Sequence, residues 1–219
     1  MKRKNLLKIT LIISIVSLII VIFLSSFAQL AFNKEYYLSL QRKHGVYETL
    51  GENQTVNMTE NVVGFLQGKN DLAYFSDDEK SHMQDVKGVF NNLFGIFYPS
   101  LFIFIVCFVM IIYLDKKDAL HSISEVFVYA GGISILILII FFLLSINFSD
   151  LFMNFHKVFF PQGNYLFPRD SLLLKLFPEG FFKDFAIRIF VYSAIKAGIL
   201  LAIGLSPPSG LAKHKARAD

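Results

Sequence analysis

Four long hydrophobic runs organise the chain. They are separated by polar segments and cover residues 9–32, 93–114, 126–149 and 187–205. A helix needs roughly 20 consecutive apolar residues to cross the hydrocarbon core of a bilayer, so each run predicts one transmembrane helix. Only a short turn joins the second run to the third, which predicts that these two helices form an antiparallel hairpin.

The polar segments between the runs predict a cap. They cover residues 33–92 and 150–184. In the first, short strands are expected at 57–64 and 69–75, and Ser76 is expected to cap the helix that follows. The whole pattern predicts a membrane all-α bundle of four transmembrane helices with a small extracytoplasmic cap of mixed short helices and strands.

The runs and the cap are expected to form a single membrane domain, residues 1–208. The basic tail, residues 209–219, differs in composition from the rest and is typical of an appended tag, so it receives no function. Near the N-terminus, residues 26–28 imitate the cleavage site of a signal peptide. Because the apolar run continues to Phe32, we expect a retained anchor instead.

The distribution of Lys and Arg predicts the orientation. These residues are concentrated at the N-terminus, in the turn at 115–118 and in the tail. An even number of spans places all three regions on one side, which the positive-inside rule makes the cytoplasmic side. Both termini are therefore expected in the cytoplasm, and both polar segments are expected on the outer face of the membrane.

The composition agrees with a membrane protein. Of the 219 residues, 54% are hydrophobic, and the mean hydropathy is +0.54, which is well above the usual range of a soluble domain. The formal net charge of +4 is spread over both sides of the membrane, so it does not indicate a nucleic-acid partner. Cys107 is the only cysteine, which excludes an intrachain disulfide.

Topology separates the five histidines into two groups. His44, His121 and His214 lie in polar loops or in the tail and are interpreted as ordinary solvated side chains. His82 and His156 share the outer face, and each adjoins an apolar helix at the depth expected for lipid ester groups. Two imidazoles in that place predict proton transfer for chemistry on a lipid. Interfacial histidines that are satisfied by backbone or water are the alternative interpretation.

Two acidic residues accompany His82 at helical spacing. Asp85 follows it by three residues, so its carboxylate can orient the imidazole, although an ordinary surface acid fits the same spacing. Glu79, His82, Asp85 and His156 also resemble part of a helical metal-ligand set. No second copy of the pattern exists in the sequence, and a histidine pair without metal is preferred.

Other chemistry-bearing motifs are absent from the sequence. It contains neither a Gly-x-Ser-x-Gly nucleophile turn nor a phosphate-binding loop, so no nucleotide and no cofactor is expected. Lys196, within the fourth run, is costly in hydrocarbon. We expect it to pair with Glu125 at the start of the third run.

Two outward-facing segments resemble a family of bacterial membrane proteins, the lipoprotein intramolecular transacylases (Lit). The matching residues are Glu79-x-x-His82-x-x-Asp85-Val86-Lys87, Phe155-His156-x-x-Phe159-Phe160-Pro161, Asn164-Tyr165-x-Phe167-Pro168, Leu176-Phe177-Pro178-Glu179 and Phe181-Phe182. The likeness covers nearly the whole chain except the tail. The order of the motifs relative to the hydrophobic runs matches as well.

The resemblance implies an acyltransferase of the bacterial cell membrane, with its active site where the cap meets the outer face of the membrane. Its partners would be a diacylated lipoprotein N-terminus and membrane lipid. The acyl chain on the middle (sn-2) glyceryl oxygen would move to the α-amine of the N-terminal cysteine, which gives a lyso-form lipoprotein. Because exchange of an ester for an amide is downhill, the resemblance implies no cofactor, no metal and no nucleotide.

The resemblance also implies roles for individual residues. His82 and His156 would be the catalytic acid and base, with the assignment of each role open, and Asp85 and Glu79 would support them. The substrate would be held by a largely aromatic wall from the second polar segment, with two cap tyrosines opposite it. These expected binding residues are Phe155, Phe159, Phe160, Asn164, Tyr165, Phe167, Tyr36 and Tyr37.

Three alternatives remain open from the sequence. A metal-assisted lipid hydrolase or ester-transferring enzyme would use the four candidate ligands named above. A non-enzymatic membrane sensor or accessory protein would bind lipid or a partner through its outer cap, with histidines that respond to pH. A transporter is least favoured, because the runs show no inverted repeat.

Overall fold

The computed structural model describes residues 3–206, and the regular structure in that range is entirely α-helical. The helices are α1 (Arg3–Ala31), α2 (Lys34–Lys43), α3 (Val46–Leu50), α4 (Glu52–Leu66), α5 (Asp77–Leu114), α6 (Ala119–Leu144), α7 (Phe148–Phe159), α8 (Leu172–Leu176) and α9 (Glu179–Leu205). The expectations for the tail and for His214 concern residues outside the described range.

Four of these helices, α1, α5, α6 and α9, are long and apolar enough to cross a membrane. The chain is therefore a multi-pass membrane protein with a helical fold, as the hydrophobic pattern predicted. The third helix ends earlier than expected, since α6 ends at Leu144 instead of 149. The reason is local: the Asn147 side chain accepts a hydrogen bond from the backbone N–H of Asp150 and starts α7.

Helix α5 is longer than a membrane span requires. Its 38 residues extend over about 57 Å, roughly twice the thickness of a hydrocarbon core. The charged groups lie in its first part, and the uncharged stretch begins at Leu93. The uncharged stretch 93–114 is long enough to cross a membrane by itself.

The predicted strands are wrong. Residues 57–64 lie within α4, because Met58, Val62 and Leu66 recur at helical spacing and are buried together. Residues 69–75 form an irregular connection. The Asn61 side chain takes the place of a strand partner there: it donates to the Asp71 carbonyl (2.8 Å) and accepts from the Ala73 N–H (3.1 Å).

The contacts divide the chain into two compact units. Within the described range, the first unit contains residues 3–26, 95–141 and 190–206. Its buried core consists of Leu18, Ile22, Ile111, Val126 and Ala130. Helices α6 and α9 approach closely at Gly131, where an added Cβ would lie 2.8 Å from the Ala197 carbonyl oxygen.

The expected ion pair between Lys196 and Glu125 is wrong. The Lys196 ammonium donates to the hydroxyls of Ser25 (2.8 Å) and Ser26 (3.0 Å) on α1. Glu125 instead lies 3.3 Å from the imidazole of His121 on its own helix. Two hydroxyls take the place of the expected carboxylate and satisfy the partly buried ammonium by hydrogen bonds.

The second unit contains residues 27–94 and 142–189. Its core gathers side chains from α2, α4, α5, α8 and α9: Tyr37, Leu40, Met58, Val62, Met83, Leu176, Phe177 and Phe181. The fully buried Gln41 links three helices, since its amide donates to the Leu176 carbonyl and its oxygen accepts from Thr59. Satisfied buried hydrogen bonds of this kind fix α8 against α2 and α4.

Candidate active site

The first turn of α5 begins with a reciprocal cap. The Glu79 carboxylate accepts from the Ser76 N–H (2.9 Å) and hydroxyl (3.0 Å), and the Ser76 hydroxyl accepts from the Glu79 N–H (3.4 Å). This arrangement is the capping box that Ser76 and Glu79 predicted. It fixes the start of the helix that carries His82 one turn later.

The second oxygen of Glu79 joins α5 to α8. It accepts from the Ser171 hydroxyl (2.5 Å) and from the Leu173 N–H (2.9 Å), and the side chain is only 4% exposed. Burial by itself would raise the pKa of this carboxyl, but the hydrogen bonds from Ser76, Ser171 and Leu173 outweigh it and hold the pKa below its ordinary value. Glu79 therefore joins α5 to α8, and both of its carboxylate oxygens accept hydrogen bonds.

His82 is buried among aromatic rings. Its side chain is 6% exposed, and its ring centroid lies 4.7 Å from that of Phe160 and 5.5 Å from that of Phe167. Within residues 3–206, the Nδ1 atom has no hydrogen-bond partner. Burial and then the positive charge that His156 can carry lower the pKa of His82 to about 4. His82 is therefore a neutral imidazole at physiological pH.

His156, near the end of α7, faces His82. The two ring centroids are 5.9 Å apart and the rings are tilted by only 20°. The Nδ1 atom of His156 lies 2.8 Å from the Phe152 carbonyl oxygen one turn earlier. A carbonyl oxygen only accepts, so Nδ1 carries the hydrogen and, in the neutral ring, Nε2 carries the lone pair.

Five of the aromatic rings named for the wall lie at or next to the histidine pair. Phe160 contacts both imidazoles, Phe167 contacts His82, and Phe155 and Tyr165 contact His156 at centroid distances of 5.7 and 5.1 Å. Phe159 stacks on Phe155 at 4.5 Å. The wall thus surrounds the histidine pair with rings from the end of α7 and from the segment that follows it.

The two cap tyrosines do not line this site, contrary to expectation. Tyr37 is buried against Phe181, and its hydroxyl donates to the Ala31 carbonyl at 2.9 Å. The Tyr36 hydroxyl donates to the Asp184 carbonyl at 3.3 Å. Their sequence position in the cap suggested exposure to substrate, but both rings pack in the core where α2 meets α9.

Asp85 does not orient His82 in the expected manner. Its Oδ2 atom accepts from the side-chain amides of Gln162 (2.5 Å) and Asn164 (2.6 Å). Asn164 also lies 3.4 Å from the Ser81 hydroxyl. The carboxylate therefore ties α5 to the segment that follows α7, and it brings the predicted binding residue Asn164 to the histidine pair.

Three residues of the site were not predicted. Phe152 supplies the carbonyl that fixes the His156 tautomer, Gln162 holds Asp85, and Ser171 holds Glu79. Phe152 was detectable in principle, because it precedes His156 by four residues in one helix. The other two contacts bridge residues more than 75 positions apart, and no local pattern indicates such a pairing.

The four candidate metal ligands do not form one site. Across residues 3–206, no group of three or more His, Cys, Asp and Glu side chains is arranged to hold a metal ion. Glu79 is turned to Ser171 and Leu173, and Asp85 is turned to Gln162 and Asn164.

Four membrane helices and a stacked imidazole pair within aromatic rings define an integral membrane protein with a histidine-based candidate site. The family model described as "Lipoprotein intramolecular transacylase Lit" matches residues 11–182. The match covers more than half of the chain, so the chain belongs to the lipoprotein intramolecular transacylase Lit family.

Solved structures share the fold. The membrane integral lipoprotein intramolecular transacylase Lit from Bacillus cereus is 16% identical, with a TM-score of 0.74 over 99% of this chain and 100% of that chain. A form of that protein with one histidine replaced by alanine is 17% identical, with a TM-score of 0.76 over 98% of this chain and 97% of that one. At these identities the likeness concerns the fold alone.

One relative of similar sequence has no described activity. An uncharacterized protein of Aquifex aeolicus (strain VF5) is 25% identical over 138 residues, which are 63% of this chain and 59% of that protein. The chain thus spans less than two thirds of the length of this relative.

Proposed function

We propose that the protein moves the sn-2 acyl chain of a diacylglyceryl-cysteine lipoprotein onto the α-amine of the same cysteine. Membership of the Lit family supports this reaction class. The single observation that carries the proposal is the geometry of the histidine pair, in which His156 offers a free Nε2 lone pair while the facing His82 is buried and neutral.

His156 is the base in this account. An α-amine with a reference pKa of about 7.7 to 8.0 is mostly protonated at neutral pH and cannot attack an ester. Nε2 of His156 takes a proton from the ammonium, which leaves a neutral amine and an imidazolium. The Phe152 carbonyl keeps Nδ1–H in place and accepts its hydrogen bond in both charge states.

Acyl transfer then needs one further proton movement. The amine nitrogen forms a bond to the ester carbonyl carbon, and the carbonyl oxygen becomes an oxyanion. His82, which stays neutral, donates a hydrogen bond to this oxyanion. The His156 imidazolium gives the first proton to the glyceryl oxygen as the C–O bond breaks, and the neutral Nε2 then takes a second proton from the nitrogen. The amide and the free alcohol form, and the second proton leaves to water, so atoms and charges balance.

The aromatic wall explains how the substrate is folded. The ring that closes during attack contains the carbonyl carbon, the glyceryl oxygen, two glyceryl carbons, sulfur, Cβ, Cα and nitrogen. Eight-membered rings close slowly without help, so holding the two ends together is the main catalytic task. Phe155, Phe160, Tyr165 and Phe167 surround the imidazoles and supply apolar contacts for the glyceryl and acyl carbons.

The site is proposed to lie at the outer face of the membrane, with both termini in the cytoplasm. Helix α7 supports this location, because it has a strongly amphipathic sequence and none of its residues is fully buried. Val158 and Phe159 near its end are 72% and 49% exposed. A helix of this kind lies in the boundary between headgroups and acyl chains, where a lipoprotein's ester groups are found.

Tandem mass spectrometry of a diacylglyceryl-cysteine lipopeptide incubated with the purified protein tests the proposal. The reaction is an isomerisation, so only the fragments reveal an acyl chain on the amine. The wild-type protein and a His121→Ala control should convert the peptide, and His82→Ala and His156→Ala should lose roughly 10²-fold or more in rate. If the lipopeptide is unchanged after incubation with folded wild-type protein, this result would contradict the proposal.

A further inference from the structure

The Asp85 carboxylate is the one acidic group of the site with an unused oxygen. Its Oδ2 accepts from Gln162 and Asn164, while no donor among the described residues reaches Oδ1. Glu79, one turn and a half earlier on α5, has both oxygens occupied. Asp85 is also partly exposed, whereas Glu79 is buried. An incoming ligand therefore finds an open acceptor only on Asp85.

The charge of Asp85 is not matched by a basic side chain. The ion pairs found within residues 3–206 do not include it. Its two partners are neutral amides, which fix the carboxylate in position without neutralising it. A half-buried carboxylate that is held in place but unpaired is complementary to a small cation.

The carboxylate lies near the His82 imidazole. Asp85 follows His82 by three residues and therefore shares its helix face. The Asp85 charge and the Asn164 side chain both act on the His82 imidazole, although burial dominates there. A cation on Asp85 is thus placed next to the groups to which the proposed function assigns proton transfer.

We propose that Asp85, held by Gln162 and Asn164, binds the α-ammonium group of the substrate. The inference rests on the proposed function, because that reaction begins from a primary ammonium next to an ester. Oδ1 accepts a charge-assisted hydrogen bond from the ammonium, and the remaining N–H bonds face the imidazoles.

This placement has two chemical consequences. When a proton moves from the ammonium to Nε2 of His156, one N–H bond breaks, another forms, and the positive charge remains near the same carboxylate. Transfer therefore separates no charge. After acylation the nitrogen is a neutral amide, which Asp85 no longer attracts. The same residue then favours the free-amine substrate over the N-acylated product.

Binding of unreactive lipopeptides tests the inference apart from turnover. The probes are three diacylglyceryl lipopeptides with ether-linked chains, which cannot transfer an acyl group: one with a free α-amine, one N-acetylated and one without the nitrogen. A charge-assisted hydrogen bond contributes about 1.5–3 kcal/mol, so wild-type protein should bind the free-amine peptide roughly 10- to 100-fold more tightly. Asp85→Asn should reduce this preference to near unity, and Asp78→Asn, an exposed acid on the same helix, should keep it.

Equal binding of the three peptides by the wild-type protein overturns the inference, and so does an Asp85→Asn variant that retains the preference. If Asp85→Asn binds none of the peptides, Asp85→Glu replaces it: a retained preference for the free amine supports the inference, and a lost preference overturns it. Failure of acyl migration in the mass-spectrometric assay concerns the proposed function and leaves these binding ratios interpretable.

Discussion

The two imidazoles of the site have opposite surroundings although they are of the same residue type. His156 is half-buried and has one nitrogen fixed on a backbone carbonyl, while His82 is almost fully buried and has an unpartnered Nδ1. Two side chains of the same type can take different catalytic roles when their surroundings differ in this way. We therefore expect His156 to exchange protons and His82 to remain a neutral hydrogen-bond donor.

Replacement of His156 by asparagine tests its role as base. The asparagine amide keeps a donor near the position of Nδ1–H and so preserves the contact with Phe152, but it cannot accept a proton at neutral pH. We expect His156→Asn to lower the rate of acyl migration by roughly 10²- to 10⁴-fold, with an unchanged apparent melting temperature in detergent. A variant with near wild-type turnover would contradict the assignment.

The low proton affinity of His82 predicts a pH-dependent stability. The unfolded chain takes up a proton near pH 6.5, the ordinary value, whereas the folded chain does so only near pH 4. Between these two pH values the unfolded state therefore binds more protons than the folded state. The stability of the folded chain falls as pH decreases from about 6.5 to about 4. The difference between the two pKa values corresponds to roughly 3 kcal/mol in the free energy of unfolding.

Thermal unfolding in detergent across this pH range measures the effect. The apparent melting temperature of the wild-type protein should fall as the pH is lowered, and His82→Gln should show a smaller decrease. Asp85 and His156 are the titratable groups that act on His82, so His156→Asn serves as the comparison. Equal pH dependence in the wild-type protein and His82→Gln would show that His82 does not cause it.

At the residue scale the sequence predicted positions better than partners. His82 and His156 were identifiable because each lies next to an apolar run on the same side of the membrane, and the fold brings them together. The partners of Asp85, and the Ser171 partner of Glu79, come from a segment more than 75 residues later. Only the packing of α5, α7 and α8 determines which polar groups meet, so helical spacing alone does not reveal that Asp85 accepts from Gln162 and Asn164.

At the scale of elements, α7 carries His156 and is the helix that the proposal places at the membrane boundary. Only residues 145–147 separate it from α6. One side of its apolar face packs on protein, as Phe152 does against Phe182 at 5.1 Å. The other side leaves Val158 and Phe159 exposed. In the proposed location of α7, Val158 and Phe159 lie in lipid.

A single tryptophan can report the depth of α7, since the chain contains no tryptophan. Val158→Trp in bilayers with brominated acyl chains should be strongly quenched. Tyr74→Trp, in the irregular connection before α5 and 46% exposed, is the matched control and should be quenched weakly. Similar quenching at both positions would contradict the placement of α7 in the boundary region.

Two adjacent glycines of α6 provide a test of helix packing. An alanine Cβ at Gly131 would lie 2.8 Å from the Ala197 carbonyl and 3.1 Å from Leu201, whereas at Gly132 nothing lies within 4 Å. Both changes gain the same helix propensity. We expect Gly131→Ala to lower the apparent melting temperature and Gly132→Ala to leave it unchanged or raise it slightly. Equal effects would mean that α6 and α9 do not pack closely here.

The elements themselves were predictable to different degrees. Runs of about 20 apolar residues specify membrane helices because a bilayer allows few alternatives. The short elements of the polar segments depend on tertiary contacts. The β-branched pair Val62 and Val63 favours a strand locally, but burial together with Met58 and Leu66 favours α4.

For the whole molecule, the proposed reaction needs only the chain and one substrate. An ester exchanged for an amide supplies the driving force, and both reacting groups belong to the same lipoprotein. The protein's contribution is then to fold the substrate and move protons. The proposal assigns these tasks to the histidine pair, the aromatic wall and Asp85, which lie within one compact unit. The central claim is therefore that the acyl chain never leaves the molecule from which it came.

A crossover measurement tests this claim most directly. Two lipopeptides are mixed with the protein, one with deuterated acyl chains on a light peptide and the other with light chains on a heavy peptide. Tandem mass spectrometry then identifies the chain attached to each amine. The account predicts N-acylated products that contain only the original combinations. Products that combine the chain of one lipopeptide with the peptide of the other would contradict it.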